Sequence, residues 1–251
     1  VESVLAGNDL VLTDRWEASH EALTRAVLEG HLSETRLREA ADRVRAVKQL
    51  IFGPALARPN LVDVDAAQAT VKTHDHTRVA ERIGAASITL VDGALTPPSG
   101  RPLIIATRMA RRFGAPVEAE LRAGLAAAGW TDVDVLMVDP FPDSEQADRA
   151  TRLAREAGWA ALLHFNRVQS FDPESVLTSD ELISLAESVT GAGVPLAVVS
   201  MGSPYALPLF VSATARLCSY STCDASLYAT LQVLRGTVAP AGQLPVSLQV
   251  T

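Results

Sequence analysis

From residue 86 onward the chain alternates short apolar runs with amphipathic helical stretches, and this rhythm constrains its fold more than any other feature. The apolar runs are Ile88–Val91, Leu103–Ala106, Val133–Val138, Ala160–Phe165, Leu196–Val199 and Ala215–Ser219. Each is short, continuous and bounded by polar or glycine-containing turns, as expected of strands buried on both faces. Between them, helices are expected over 115–128, 144–157, 179–191 and 224–235, stopped by Gly129, Gly158 and Gly236 where such glycines occur, with Ser179 as the cap of the third. Strands alternating with helices build an α/β fold: a mostly parallel six-stranded sheet sandwiched by helices, an αβα sandwich.

The first 53 residues read differently. Leu10-Val11-Leu12-Thr13 is an apolar run entered through Ala6-Gly7-Asn8-Asp9, and it predicts a buried strand. A helix over 17–29 places Ala18, Ala22, Leu23, Ala26 and Val27 on one face and stops at Gly30. A second helix starts after Ser33 and carries Leu37, Ala40, Val44, Val47 and Ile51 to Gly53-Pro54. Pro54, Pro59 and Asn60 mark a linker, in which Ala66–Ala69 is at best weakly helical. A helix from His74 to Ala86, with Asp75 as its expected cap, leads into the alternating block. The domain reading is therefore 1–53, a linker over 54–76, and 77–251.

Composition narrows the function classes. Hydrophobic residues make up 48% of 251, enough for a sizeable core. The net charge of -7 is spread out, without a basic stripe, which argues against a nucleic-acid partner. No apolar run is long enough to cross a membrane. The chain begins at Val1, not Met, and no signal pattern follows, so its start is read as set by processing, proteolysis or cloning, and the chain as soluble, with the cytoplasm favoured. Cys218 and Cys223 form no disulfide framework; a bridge across the short loop stands beside two buried thiols, the reading preferred here.

The candidate residues are few. His74-Asp75-His76 looks ligand-like, but no third fixed ligand is in sequence reach, so neither metal nor cofactor is expected. Gly191-Ala192-Gly193 precedes a strand instead of following one and fails as a dinucleotide loop. Carboxylates after parallel strands, Asp139, Asp143, Glu145, Asp172 and Glu174, stand where open sheets bind ligands, yet their proline neighbours suit solvated turns. His164 and Asn166 follow the fourth strand. Asn166, with Gln169, is placed either to meet a sugar hydroxyl or to satisfy loop backbone. Thr13 and Asp14 end the first apolar run, with Asp14 also suited to capping the next helix.

Several motifs in fixed order resemble family 3 glycoside hydrolases. Ala6-Gly7-Asn8-Asp9 with its apolar run is similar to the entry of the last barrel strand. Ala26-Val27-Leu28-Glu29-Gly30-His31-Leu32-Ser33, then Arg36-Leu37 and Arg43 to Lys48, resemble the barrel's closing helices. Ala85 to Val91, Gly193-Val194-Pro195 with its strand, Pro204-Tyr205-Ala206-Leu207 and Leu244-Pro245-Val246-Ser247-Leu248 resemble the C-terminal sandwich domain. Two departures are visible: Asp92 and Gly93 follow Val91 where the family often has Lys-Asn, and Ala206 stands where it has Asp.

The resemblance implies the end of a barrel over 1–53 followed by a sandwich domain, and a parent enzyme that cleaves terminal β-linked sugars, N-acetylglucosaminides foremost. The nucleophilic Asp and the acid/base group would lie upstream of Val1, so no catalytic residue is expected here and the chain alone is expected to be inactive. The carbohydrate would bind through the missing barrel, with Thr13, Asp14 and Asn166 as substrate-proximal candidates. An exposed barrel remnant would favour self-association. The alternatives are a flavodoxin-like or periplasmic-type small-ligand module, which leaves the motifs before residue 53 unexplained, and a structural domain without a ligand.

Overall fold

The helices of the first fifty-three residues find little to pack against. The computed structural model describes residues 1–53, 63–108, 117–166 and 177–248, and the chain divides into two units, Val1–Thr70 and Val71–Thr251. The first unit holds α1 (Glu2–Leu5), α2 (Trp16–Leu28), α3 (Glu34–Phe52) and α4 (Val64–Thr70). Its core is small: Val4, Ala26 and Leu32 are buried, with Leu23, Val27 and Leu37 packed against them. The Ser33 hydroxyl caps α3 by accepting the Arg36 N–H at 3.1 Å, as the sequence predicts. Residues 66–69 fall within α4, a helix proper, whose first turn is held by Asp63 Oδ1 accepting the Ala66 N–H at 3.1 Å.

The strand expected at Leu10–Thr13 is not formed. These residues join no sheet, and Leu10 and Leu12 are 69% and 93% exposed. The reason is physical: a strand exists through the ladder it makes with neighbours, and no other described segment of this unit offers one.

In the second unit, α5 (His74–Ser87) precedes a sheet of β1 (Thr89–Gly93), β2 (Leu103–Thr107), β3 (Asp134–Val138), β4 (Ala160–His164), β5 (Leu196–Ser200) and β6 (Ala215–Cys218). All six predicted strands are present to within a residue or two. The order is β1-β6-β5-β4-β2-β3. Every pairing from β6 to β3 is parallel, but β1 runs antiparallel to β6, so the sheet is mixed, with one reversed edge. β2, β4 and β5 are buried along their whole length, which is why their sequences show no polar alternation.

The remaining helices are α6 (Val117–Ala127), α7 (Ser144–Glu156), α8 (Asp180–Gly191) and α9 (Asp224–Leu234). Side chains of α6 and α9 share a core with Ile104, Ala106, Leu163 and Val199 on one face of the sheet. Those of α7 and α8 pack with Ile105, Leu162 and Val198 on the other. α5 lies along α9. The result is a three-layer αβα sandwich. The expected Asp75 cap on α5 gives way to Thr73, whose hydroxyl accepts the His76 N–H at 3.3 Å.

The tail is tied to the sheet's start. The Gly242 N–H donates to the Ile88 carbonyl at 2.8 Å. A β-carbon at Gly242 would fall 2.2 Å from the Ser87 carbonyl oxygen and 2.3 Å from Thr89 Oγ1, so the Gly-Gln-Leu-Pro-Val ending requires glycine for close approach.

Candidate functional site

The sheet's topology singles out one edge. From β2 the chain moves outward to β3, then returns past β2 to β4 on its other side. The connection after β2 leads to α6 on one face and that after β4 to α8 on the opposite face. The carboxyl ends of β2 and β4 therefore form the topological switch point of the sheet, the place where open α/β sheets bind ligands. Residues 109–116 and 167–176 of these connections lie outside the described residues. With them lie three sequence candidates, Gln169, Asp172 and Glu174.

Several buried residues along this edge are polar and uncharged. Thr107 ends β2, and its hydroxyl accepts the Phe165 N–H at 2.8 Å, locking β2 to the residue after β4. Asn166 is buried. Its Nδ2 donates to the Ser203 carbonyl at 3.0 Å, and its Oδ1 accepts from the Ser200 hydroxyl at 2.9 Å. The side chain thus spends its hydrogen bonds on the β5 connection, the second of the two roles open to it from the sequence. Gly202 permits this: a β-carbon there would lie 2.6 Å from the Asn166 carbonyl oxygen and 2.9 Å from Oδ1.

His164 ends β4 and is only 2% exposed. Its Nε2 shares a hydrogen bond with Thr178 Oγ1 at 3.0 Å, and its ring meets that of Phe210 edge-on at 6.1 Å. Nδ1 is buried without a hydrogen-bond partner among the described residues. Burial pushes the imidazole down to about 4, so it is neutral at physiological pH. Beside it, the Ser179 hydroxyl caps α8 through the Leu182 N–H at 3.1 Å and donates to the Pro140 carbonyl at 2.8 Å.

The charged part of the edge belongs to β3. Gln146 grips Asp139 twice: Nε2 donates to Asp139 Oδ2 at 2.7 Å, and Oε1 accepts the Asp139 N–H at 2.8 Å. Arg108 Nη1 donates to Asp139 Oδ1 at 3.1 Å. The Gln146 bond lowers the Asp139 carboxyl most, partial burial opposes it, and Arg108 lowers it further. Asp143 is the cap of α7, accepting the Gln146 N–H at 2.8 Å, and Glu145 is exposed in that helix's first turn. Asp139 and Asp143 therefore have local structural partners. The sequence reading missed Gln146, Arg108 and Thr178, because their roles depend on how the turns after the strands fold back on the neighbouring elements.

Thr13 and Asp14 belong to the first unit. The Thr13 hydroxyl accepts the Arg15 N–H at 3.1 Å. Asp14 does not cap α2, whose N-cap is Arg15 without a side-chain bond. Lys48 is exposed on α3, and Arg43 pairs with Asp9. Among the described residues no cluster of His, Cys, Asp or Glu has the makings of a metal site, His74 and His76 included.

The two cysteines are both free. Cys218 is buried, and burial raises its thiol to about 11 against a smaller opposing backbone bond. Cys223 is exposed, which corrects the expectation of two buried thiols. It stands at the N-cap of α9, where solvent reaches it. Burial still raises its thiol, but bonds from Ser221, Ser226 and the helix's first N–H groups outweigh that and lower it overall.

No family model matches the sequence. A phosphoglucosamine mutase of Aromatoleum aromaticum is 41% identical over 78 residues, 31% of this chain but only 17% of that protein. The solved structures match far more of the chain. A family 3 β-N-acetylglucosaminidase from Paenibacillus sp. FPU-7 superposes over 99% of it with a TM-score of 0.79 and 26% identity. A β-glucoside phosphorylase covers 98% at TM-score 0.71 and 21% identity. A β-glucosidase from Listeria innocua covers 87% at 0.62 and 17%; these last two, below 25% identity, share the fold. By fold, then, the chain is an α/β sandwich of the kind found in glycoside hydrolases. More particularly, it resembles the C-terminal part of a family 3 glycoside hydrolase. It spans 47% of the Paenibacillus enzyme and 44% of the phosphorylase, less than half of either.

Proposed function

We propose that residues 1–251 are the non-catalytic portion of a family 3 glycoside hydrolase that removes terminal β-linked sugars, with N-acetylglucosaminides as the preferred class. The observation that carries this reading is the likeness over 99% of the chain to less than half of a β-N-acetylglucosaminidase. In it, residues 1–53 are the end of a catalytic barrel, and the second unit is the sandwich domain beside it. The carbohydrate binds through the rest of the barrel.

The chemistry supports the division of labour. A retaining glycosidase needs a nucleophilic carboxylate and a proton donor facing one scissile bond. Along the sheet's carboxyl edge, Asp139 is committed to Gln146 and Arg108, and Asp143 to the α7 terminus. His164, buried and neutral, is poorly suited to protonating a leaving group in solvent. Both reacting groups are therefore assigned to barrel strands outside these residues. The test compares purified residues 1–251 with the complete encoded protein on an aryl N-acetyl-β-glucosaminide. The shorter chain should give no turnover above buffer and the complete protein ready turnover. Steady hydrolysis by the shorter chain would overturn the assignment.

A further inference from the structure

We propose that a second copy of residues 1–251 docks the C-terminal half of its α3 into the groove between α5, α6 and α9, so that two copies exchange these helices. This contact belongs to the isolated residues and is independent of the family reading.

The second half of α3 lacks cover. Val44, Val47 and Ile51 recur at helical spacing and continue the stripe that begins with Leu37 and the buried Ala40. Leu37 packs against the first unit's core. Beyond it, Val47, Ile51 and the neighbouring Leu50 are 54%, 66% and 86% exposed. A helix of this kind draws most of its stability from packing its apolar face against something. Its charge is one-sided as well: residues 44–52 include Arg45 and Lys48 and no acidic side chain.

The groove matches that surface in polarity and opposes it in charge. α5 and α6 both pack on α9, and the hollow they leave measures about 850 Å³. Its walls are cut down to small side chains, Ala80 on α5 with Ala123 and Ala127 on α6, over a floor of Leu227 and Tyr228. Three carboxylates, Glu81, Glu120 and Asp224, line it against one cation, Lys72. An apolar trough between helices takes the apolar face of another helix, and an acidic lining selects a basic one. The exposed Cys223 stands in the same lining. Because each copy carries both helix and groove, mutual exchange closes a two-fold dimer instead of an open chain.

The experiment follows purified residues 1–251 by sedimentation over a range of concentrations, together with the rate at which a thiol reagent labels Cys223. The mass should rise from one copy to two, and labelling should slow by at least about fivefold as the dimer forms. Ile51→Glu should weaken association by about tenfold or more. Leu28→Glu, an exposed apolar position on α2, should leave it unchanged. Lys48→Glu and Glu81→Lys should each weaken it about threefold, and the two together should associate more tightly than either alone. A single-copy mass at every concentration overturns the proposal. So does association that Ile51→Glu and Leu28→Glu weaken alike, Cys223 labelling that ignores concentration, or charge changes whose losses simply add.

Discussion

The chemistry of His164 separates the folded from the unfolded chain. Its imidazole ionises near 6.5 when exposed and near 4 in the fold, because burial penalises the charged form. A folded-state value below the unfolded one means stability is fully present above pH 6.5 and is lost as pH falls from 6.5 toward 4. The difference amounts to about 3 kcal/mol at most. Carboxylates also titrate in this range, so the measurement is a comparison: urea unfolding of the parent and of His164→Gln between pH 7 and 4.5. The parent should lose more stability on acidification than the variant, and parallel curves would contradict the assignment. The cysteines give a second residue-scale prediction. In the native protein a thiol reagent should label one cysteine quickly, Cys223, and the other only after denaturation. Two fast thiols, or none, would be inconsistent with the structure. The sequence placed Asn166 after the fourth strand, because strand ends are visible as the point where apolar runs stop, whereas His164, expected after the strand, is its last residue. It could not show that Asn166 spends its amide on Ser200 and Ser203, since those partners arrive through the β4–β5 pairing.

At the scale of elements, the strands and helices of the second unit were legible because burial on both faces writes long apolar runs into the chain. The reversed β1 was not legible. Its sequence, half-buried at the sheet's edge, carries no mark of direction, which is set by its pairing to β6. Leu10–Thr13 shows the converse: a strand-like sequence with no partner remains an exposed, unpaired segment. Two substitutions test how elements are joined. Ser179→Ala removes both the α8 cap and the bond to Pro140, and should cost about 1–2 kcal/mol by chemical denaturation. A cost below about 0.3 kcal/mol would mean that solvent replaces those bonds, against this account. Gly242→Ala forces a methyl group against Ser87 and Thr89 and should cost about 1–3 kcal/mol. If the variant is as stable as the parent, the tail is not held against β1 as described.

The whole molecule couples one well-filled unit with one that leaves apolar surface in water. Leu12, Leu28 and Leu50 are each more than four-fifths exposed, and Trp16 and Ile51 about two-thirds. Apolar surface of this kind is normally covered by a partner. Residues 1–251 on their own should therefore self-associate, seen by light scattering as a mass that rises with concentration. A constant monomer mass up to high micromolar concentration would contradict that expectation. Among the described residues no helix is long and apolar enough to cross a membrane. The exposed surface is accounted for if the first unit completes a barrel that the remainder of a glycosidase supplies. The direct measurement is hydrolysis of an aryl N-acetyl-β-glucosaminide by the complete encoded protein and by residues 1–251 side by side. The account predicts turnover by the first and none by the second. Turnover by the isolated residues, or none by the complete protein, would contradict it.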